Sequence, residues 1–139
     1  MIGLDTNVLA RYYVGVRDAD AATVGQQQAA CRLVEGGQPL FVCKTVLLEL
    51  EWVMRGAYAC SRDQFAAVLE HLLSLPQVTV EDRPSAEAAL AAYRGGLDFA
   101  DALHHAGCRR CESMASFDDR KFARRAAKLG LVPKVDLTR

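Results

Sequence analysis

No stretch of this chain is apolar for long enough to cross a membrane; about 18 uninterrupted residues are needed and none approaches that. No basic segment precedes the first apolar run, and Asp5 interrupts that run. A secretory leader is therefore not expected, and the cytoplasm is the expected compartment. Cys31, Cys43, Cys60, Cys108 and Cys111 are odd in number and scattered through apolar contexts, which suits reduced thiols rather than a disulfide framework. Net charge is also missing, with 17 basic residues against 17 acidic ones. Attraction of a polyanion must then come from a local patch. There is no repeat, no linker, no low-complexity segment, and no evident Ser/His or Cys/His pair for covalent catalysis.

What is present is an ordinary globular composition, 51% hydrophobic and 24% charged, over 139 residues. That length suits one domain, residues 1–139, with a core of its own. Short apolar runs at 1–4, 40–43, 78–80 and 114–117 read as strands, and 132–135 as a weak edge strand containing Pro133. Between them lie helical patterns at 6–14, about 18–35, 45–56, 62–75, 84–94, about 99–110 and 119–129. Ser61-Arg62-Asp63-Gln64 has the form of a capping box, followed by Phe65, Val68, Leu69, Leu72 and Leu73 at helical spacing. On the helix at 45–56, Val46, Leu50 and Val53 form the expected apolar stripe, with Leu47 and Met54 beside it. Strands alternating with helices predict an α/β fold: an α/β/α sandwich around a central parallel sheet of four to five strands.

In such sheets ligands bind at the strands' C-terminal ends. Asp5, Glu49, Asp101 and Asp118 fall there or on the helices that follow, with Asp98 as a fifth acid. Asp5, Asp98 and Asp118 are each also good helix N-caps, and Asp101 suits the first turn of a helix for its dipole. Glu49 cannot be a cap, and no basic residue follows it at i+3 or i+4, so it is either a solvated boundary residue or part of an acid site. Asp98 and Asp101, one turn apart, repel each other. Converging acids need a cation or raised pKa values, and an oxygen-only donor set favours magnesium or manganese over zinc. Thr6, Asn7 and Ser116 stand beside these acids and could orient them.

His104, Cys108 and Cys111 share one helix face, but one helix cannot wrap a zinc ion tetrahedrally, and core packing of the two cysteines is the expected reading. His104 or His105 could border the acids, and His71 is expected at the surface. Basic residues concentrate late, at Arg109, Arg110, Arg120, Lys121, Arg124, Arg125, Lys128, Lys134 and Arg139. Arg120, Lys121, Arg124, Arg125 and Lys128 on the helix after Asp118 form either a solvated face or a candidate phosphate-tracking surface, to which Arg11 from the first helix could contribute. Trp52, Tyr12, Tyr13 and Tyr58 are either core or an apolar groove.

Leu4-Asp5-Thr6-Asn7-Val8-Leu9, Glu49 after the second strand, Asp98-Phe99-Ala100-Asp101-Ala102-Leu103, and Ser116-Phe117-Asp118 before Phe122 together resemble a PIN domain, and more narrowly the VapC-type toxins of toxin–antitoxin pairs. The resemblance implies a metal site on Asp5, Glu49, Asp101 and Asp118. Ser116 falls where the family often has Thr, and Asp98 matches an acid that varies. It implies a magnesium-dependent endoribonuclease leaving 5′-phosphate and 3′-hydroxyl ends. It also implies an RNA substrate, a cognate antitoxin seated partly on the helices near 45–75, and a homodimer. Two rivals stand beside it. One is a non-catalytic RNA- or protein-binding module on the same fold. The other is a phosphoryl-transfer domain of receiver or dehalogenase type. A dehalogenase wants a second Asp at position 7, where this chain has Asn7.

Overall fold

The computed structural model describes residues 1–15 and 18–138; Arg139, counted above with the late basic residues, lies outside them. The chain divides into two compact units, Met1–Arg83 and Pro84–Arg139.

The first unit is built on a three-stranded parallel sheet in the order β1 (Ile2–Gly3), β2 (Leu40–Val42), β3 (Val78–Val80). Leu40 stands opposite both Ile2 and Val78, so β2 is central, and its Leu40 and Val42 are fully buried. Helices α1 (Thr6–Tyr13) and α2 (Ala21–Glu35) connect β1 to β2; α3 (Lys44–Gly56) and α4 (Arg62–Ser74) connect β2 to β3. Parallel pairing requires such crossovers and leaves all three C-terminal strand ends on one edge. Asp20 fixes the start of α2 by accepting from Thr23 N at 2.8 Å. The capping box at Ser61 is fully formed: Gln64 N donates to Ser61 Oγ at 3.1 Å, and Ser61 N donates to Gln64 Oε1 at 2.7 Å. Behind it Phe65, Leu69 and Leu72 are buried, as their spacing predicts. On α3 the buried stripe is Leu47, Leu50 and Met54 instead of Val46, Leu50 and Val53. The face turns toward the larger Leu and Met side chains, which remove more apolar area from water.

The second unit holds α5 (which begins at Arg83 and runs Arg83–Arg94), α6 (Phe99–Gly107), β4 (Ser113–Ser116), a π-helical turn (Asp119–Ala123), α7 (Arg124–Lys128) and β5 (Lys134–Leu137). Tyr93 and Phe99 are both buried and meet edge to face at 5.5 Å. Buried His105 on α6 bonds through Nε2 to the carbonyl of Pro133 at 2.7 Å, tying that helix to the approach of β5.

The expected single sheet of four to five strands is not what forms. Among the described residues the first sheet has three strands, and β4 pairs in parallel with β5 over four residues, Ser113 opposite Lys134 through Ser116 opposite Leu137. The edge strand expected at 132–135 lies two residues later, so Pro133 precedes the ladder and its missing N–H removes no ladder bond. Among the described residues no helix is long and apolar enough to cross a membrane.

Candidate functional site

In the first unit, β1 ends one residue before the buried Leu4 and delivers Asp5 as the N-cap of α1. One Asp5 oxygen, Oδ1, accepts from Thr6 N at 2.8 Å, which leaves a second oxygen for another ligand. Thr6 is itself buried, and its hydroxyl donates to Glu49 Oε1 on α3. Asp5, Thr6 and Glu49 are thus linked in one chain of hydrogen bonds, and Glu49 projects from an exposed position. Asn7 is exposed on the next turn position.

A further acid pair on this sheet edge was not foreseen. Glu81, directly after β3, accepts from Lys44 N at 2.9 Å and so caps the N-terminus of the helix that carries Glu49. Asp82 meets Lys44 Nζ at 3.3 Å. The readable signal was an acid pair at a strand end, Glu81-Asp82, immediately before a helix. Arg11 is held by two partners: its Nε donates to Gln26 Oε1 at 2.9 Å and its Nη1 donates to the Tyr58 hydroxyl.

In the second unit, Asp98, Asp101 and Asp118 interact. Asp98 stands at the N-terminus of α6 without making a side-chain cap bond. Asp101 lies one turn on, half-buried. Burial first, then the negative charges of Asp98 and Asp118, push its carboxyl above the ordinary aspartate range; His104 and Arg125 pull weakly the other way. His104 is exposed beside this group, whereas His105 is buried and occupied by Pro133. Asp118 follows β4. Its amide donates to Ser116 Oγ at 3.0 Å, and its Oδ1 caps the π-helical turn through Lys121 N at 2.9 Å. The cap predicted for Asp118 is therefore real, and again uses one oxygen of two.

The helix expected at 119–129 is two pieces, because Ala123 N reaches back five residues to the Asp118 carbonyl at 3.0 Å. Single π turns recur at functional sites. The exposed Arg120, Lys121, Arg124 and Arg125 stand on these pieces. Arg124 pairs with Asp119 at 2.7 Å and Arg125 donates to the Gly96 carbonyl at 3.2 Å. Cys108 is half-buried and Cys111 exposed, so the core role expected for them does not hold; both follow the last full turn of α6, where the chain leaves the packed face.

The acids present oxygen donors only, and within the second unit they repel one another, which is the chemistry a hard divalent cation relieves. Among the described residues, no three or more His, Cys, Asp or Glu side chains are arranged so that they could hold a metal ion. The donor chemistry fits such an ion; a closed coordination shell is not formed.

These features define an α/β protein with carboxylates at the C-terminal ends of parallel strands. A model of the PIN domain matches residues 2–128, from β1 to the end of α7, and the chain belongs to the PIN domain family. PIN domains are generally nucleases and generally use divalent metal ions. No curated protein and no solved structure matches the chain.

Proposed function

We propose that this protein is a magnesium- or manganese-dependent endoribonuclease and the toxin of a toxin–antitoxin pair. The observation that carries the reading is a PIN-family chain whose five candidate acids, Asp5, Asp98, Asp101 and Asp118 at strand ends or helix starts and Glu49 within α3, make no ion pair with Lys or Arg among the described residues. Acids outside any ion pair, with Asp101 only weakly offset by His104 and Arg125, are the groups a divalent ion would neutralise.

Asp5, Glu49, Asp101 and Asp118 would hold the ion. That all four serve one reaction rests on the sequence motifs and the family pattern. When bound, the ion makes water more acidic and offsets charge at the scissile phosphate. The chain's own groups prepare for this. Thr6 fixes the carboxylate of Glu49, and Ser116 fixes the backbone of Asp118. Arg120 and Lys121, exposed and without ion pairs among the described residues, offer charge to the phosphates on either side. Arg11, Arg124 and Arg125 would add to that surface. The toxin role, a small antitoxin protein as partner, and a homodimer are proposed from the VapC-like motifs. Trp52, 75% exposed on α3, supports a partner surface on that helix.

The test is cleavage of end-labelled RNA with magnesium, with manganese and with chelator, by the wild type, Asp5→Asn and Asp101→Asn. Metal-dependent products that vanish in both variants are expected. RNA binding without cleavage by the wild type would instead establish a non-catalytic binding module. The open arrangement of the acids favours that as the second reading. A neighbouring reading frame encoding a small DNA-binding protein that abolishes growth arrest would establish the toxin role; its absence, with no arrest on expression, would remove it.

A further inference from the structure

Phe117 sits between Ser116, the last residue of β4, and the acid Asp118, and it is 82% exposed. The sequence places it in an apolar strand, but the strand stops one residue short of it. An isolated exposed apolar residue is commonplace. Three further facts set this one apart. The backbone on both sides is fixed: Asp118 N donates to Ser116 Oγ at 3.0 Å, Lys121 N to Asp118 Oδ1 at 2.9 Å, and Thr138 N to the Ser116 carbonyl at 2.8 Å. The ring therefore stands on a held stretch of chain. The next residue is one of the acids assigned to the reaction. And exposed Arg120 and Lys121 follow three and four residues later, neither of them in an ion pair among the described residues.

Proteins that bind single-stranded nucleic acid combine a cationic track for the backbone with aromatic rings on which bases stack. We infer that Phe117 is a stacking platform for an unpaired base of RNA beside the scissile phosphate. The inference deepens the nuclease reading and rests on it for the identity of the substrate. It makes the substrate single-stranded at the cut, because a base inside a duplex has no free face to offer. Charge argues for the occupant: exposed Arg120 and Lys121 follow the ring by three and four residues, and the intervening Asp119 is already paired with Arg124, so a polyanion with flat apolar bases fits this stretch better than a second copy of this neutral chain.

The experiment uses the full chain with Phe117→Ala, Phe117→Leu and Phe117→Trp. Stacking predicts that the Ala and Leu variants bind a single-stranded RNA octamer about five- to one-hundred-fold more weakly, seen as a raised KM more than a lowered kcat. The Phe117→Trp variant keeps wild-type affinity. Leu keeps apolar bulk without a π-face and so separates stacking from simple burial. A second readout needs no cleavage. In the double variant Trp52→Phe, Phe117→Trp, the single native tryptophan is gone and the introduced indole is the only one. Its fluorescence is quenched by the octamer in chelator and much less by the octamer's duplex. Equal quenching by duplex, or wild-type affinity in the Leu variant, overturns the inference. So does sedimentation showing that Phe117→Ala merely dissociates a dimer while RNA affinity is unchanged. Cleavage without quenching sinks the stacking role alone; quenching without metal-dependent cleavage sinks the nuclease reading alone.

Discussion

The hydroxyl of Thr6 donates to the carboxylate of Glu49 across 43 positions of sequence, while its own amide is held by Asp5. One buried threonine thus sets the orientation of two acids that approach from different helices. Thr6→Val keeps the shape and removes the donor, whereas Thr6→Ser keeps the donor. The expected cost of Thr6→Val is about 1 kcal/mol of stability, the usual worth of such a bond at a partly solvated site. Cleavage should fall several-fold more in Thr6→Val than in Thr6→Ser. Urea melts and initial rates of both variants and the wild type check it; equal rates in Thr6→Val and wild type would show that Glu49 does not need the bond.

The Asp101 carboxyl is raised by burial and by Asp98 and Asp118, so the folded chain holds that proton more tightly than the unfolded chain does. Folding then takes up protons in the window between the ordinary aspartate pKa and the raised one. The Asp101 contribution to stability falls as pH rises through that window and stays lower above it. Thermal melts in chelator across the mildly acidic range should show this fall. Asp101→Asn should abolish it and Asp98→Asn should shrink it. Magnesium should restore stability most on the alkaline side. A rise of stability across the same window that depends on Asp101 would contradict the crowding of the three acids.

If the exposed cations after Asp118 follow the RNA backbone, their removal changes salt dependence. Each of Arg120→Ala and Lys121→Ala should lower the slope of log affinity against log salt by about 0.7 for single-stranded RNA. Filter binding at several potassium concentrations measures it. An unchanged slope in the double variant would assign these side chains to solvent alone.

Ser61→Ala removes one half of the capping box on α4 and should cost about 1 kcal/mol. Its cleavage rate at low temperature should equal that of the wild type. A matched loss of activity would mean that the losses at Thr6 report stability, not orientation.

Local chemistry was the legible part of the sequence. The capping box, the Asp118 cap and the buried Phe65–Leu69–Leu72 stripe all depend on neighbours within one or two turns. Strand pairing was not legible in the same way. Four short apolar runs are equally consistent with one sheet or two, and only the register of Ser113–Ser116 with Lys134–Leu137 decides where β4 goes. The buried face of α3 centres on Leu47 and Met54, which the sequence sets beside the expected stripe; the part Glu81 plays as cap of that helix follows from the pairing of β2 with β3, which no local pattern contains. The acids could be picked out as candidates because residue type and position relative to the strands single them out. Their hydrogen-bond partners could not, apart from Thr6 and Ser116, which stand next to Asp5 and near Asp118 in sequence.

The π turn at Asp119–Ala123 has a consequence for spacing. A turn that closes on the fifth residue takes up one residue more than an α-helical turn. The Arg124–Asp119 pair spans five residues, the interval that a π turn brings onto one face, where an α-helix would bring the fourth. Deleting one residue there would let the segment wind as an ordinary helix and leave the acid and the arginine four residues apart, again on one face. The turn therefore absorbs one residue of length without moving the charges that follow it to another side.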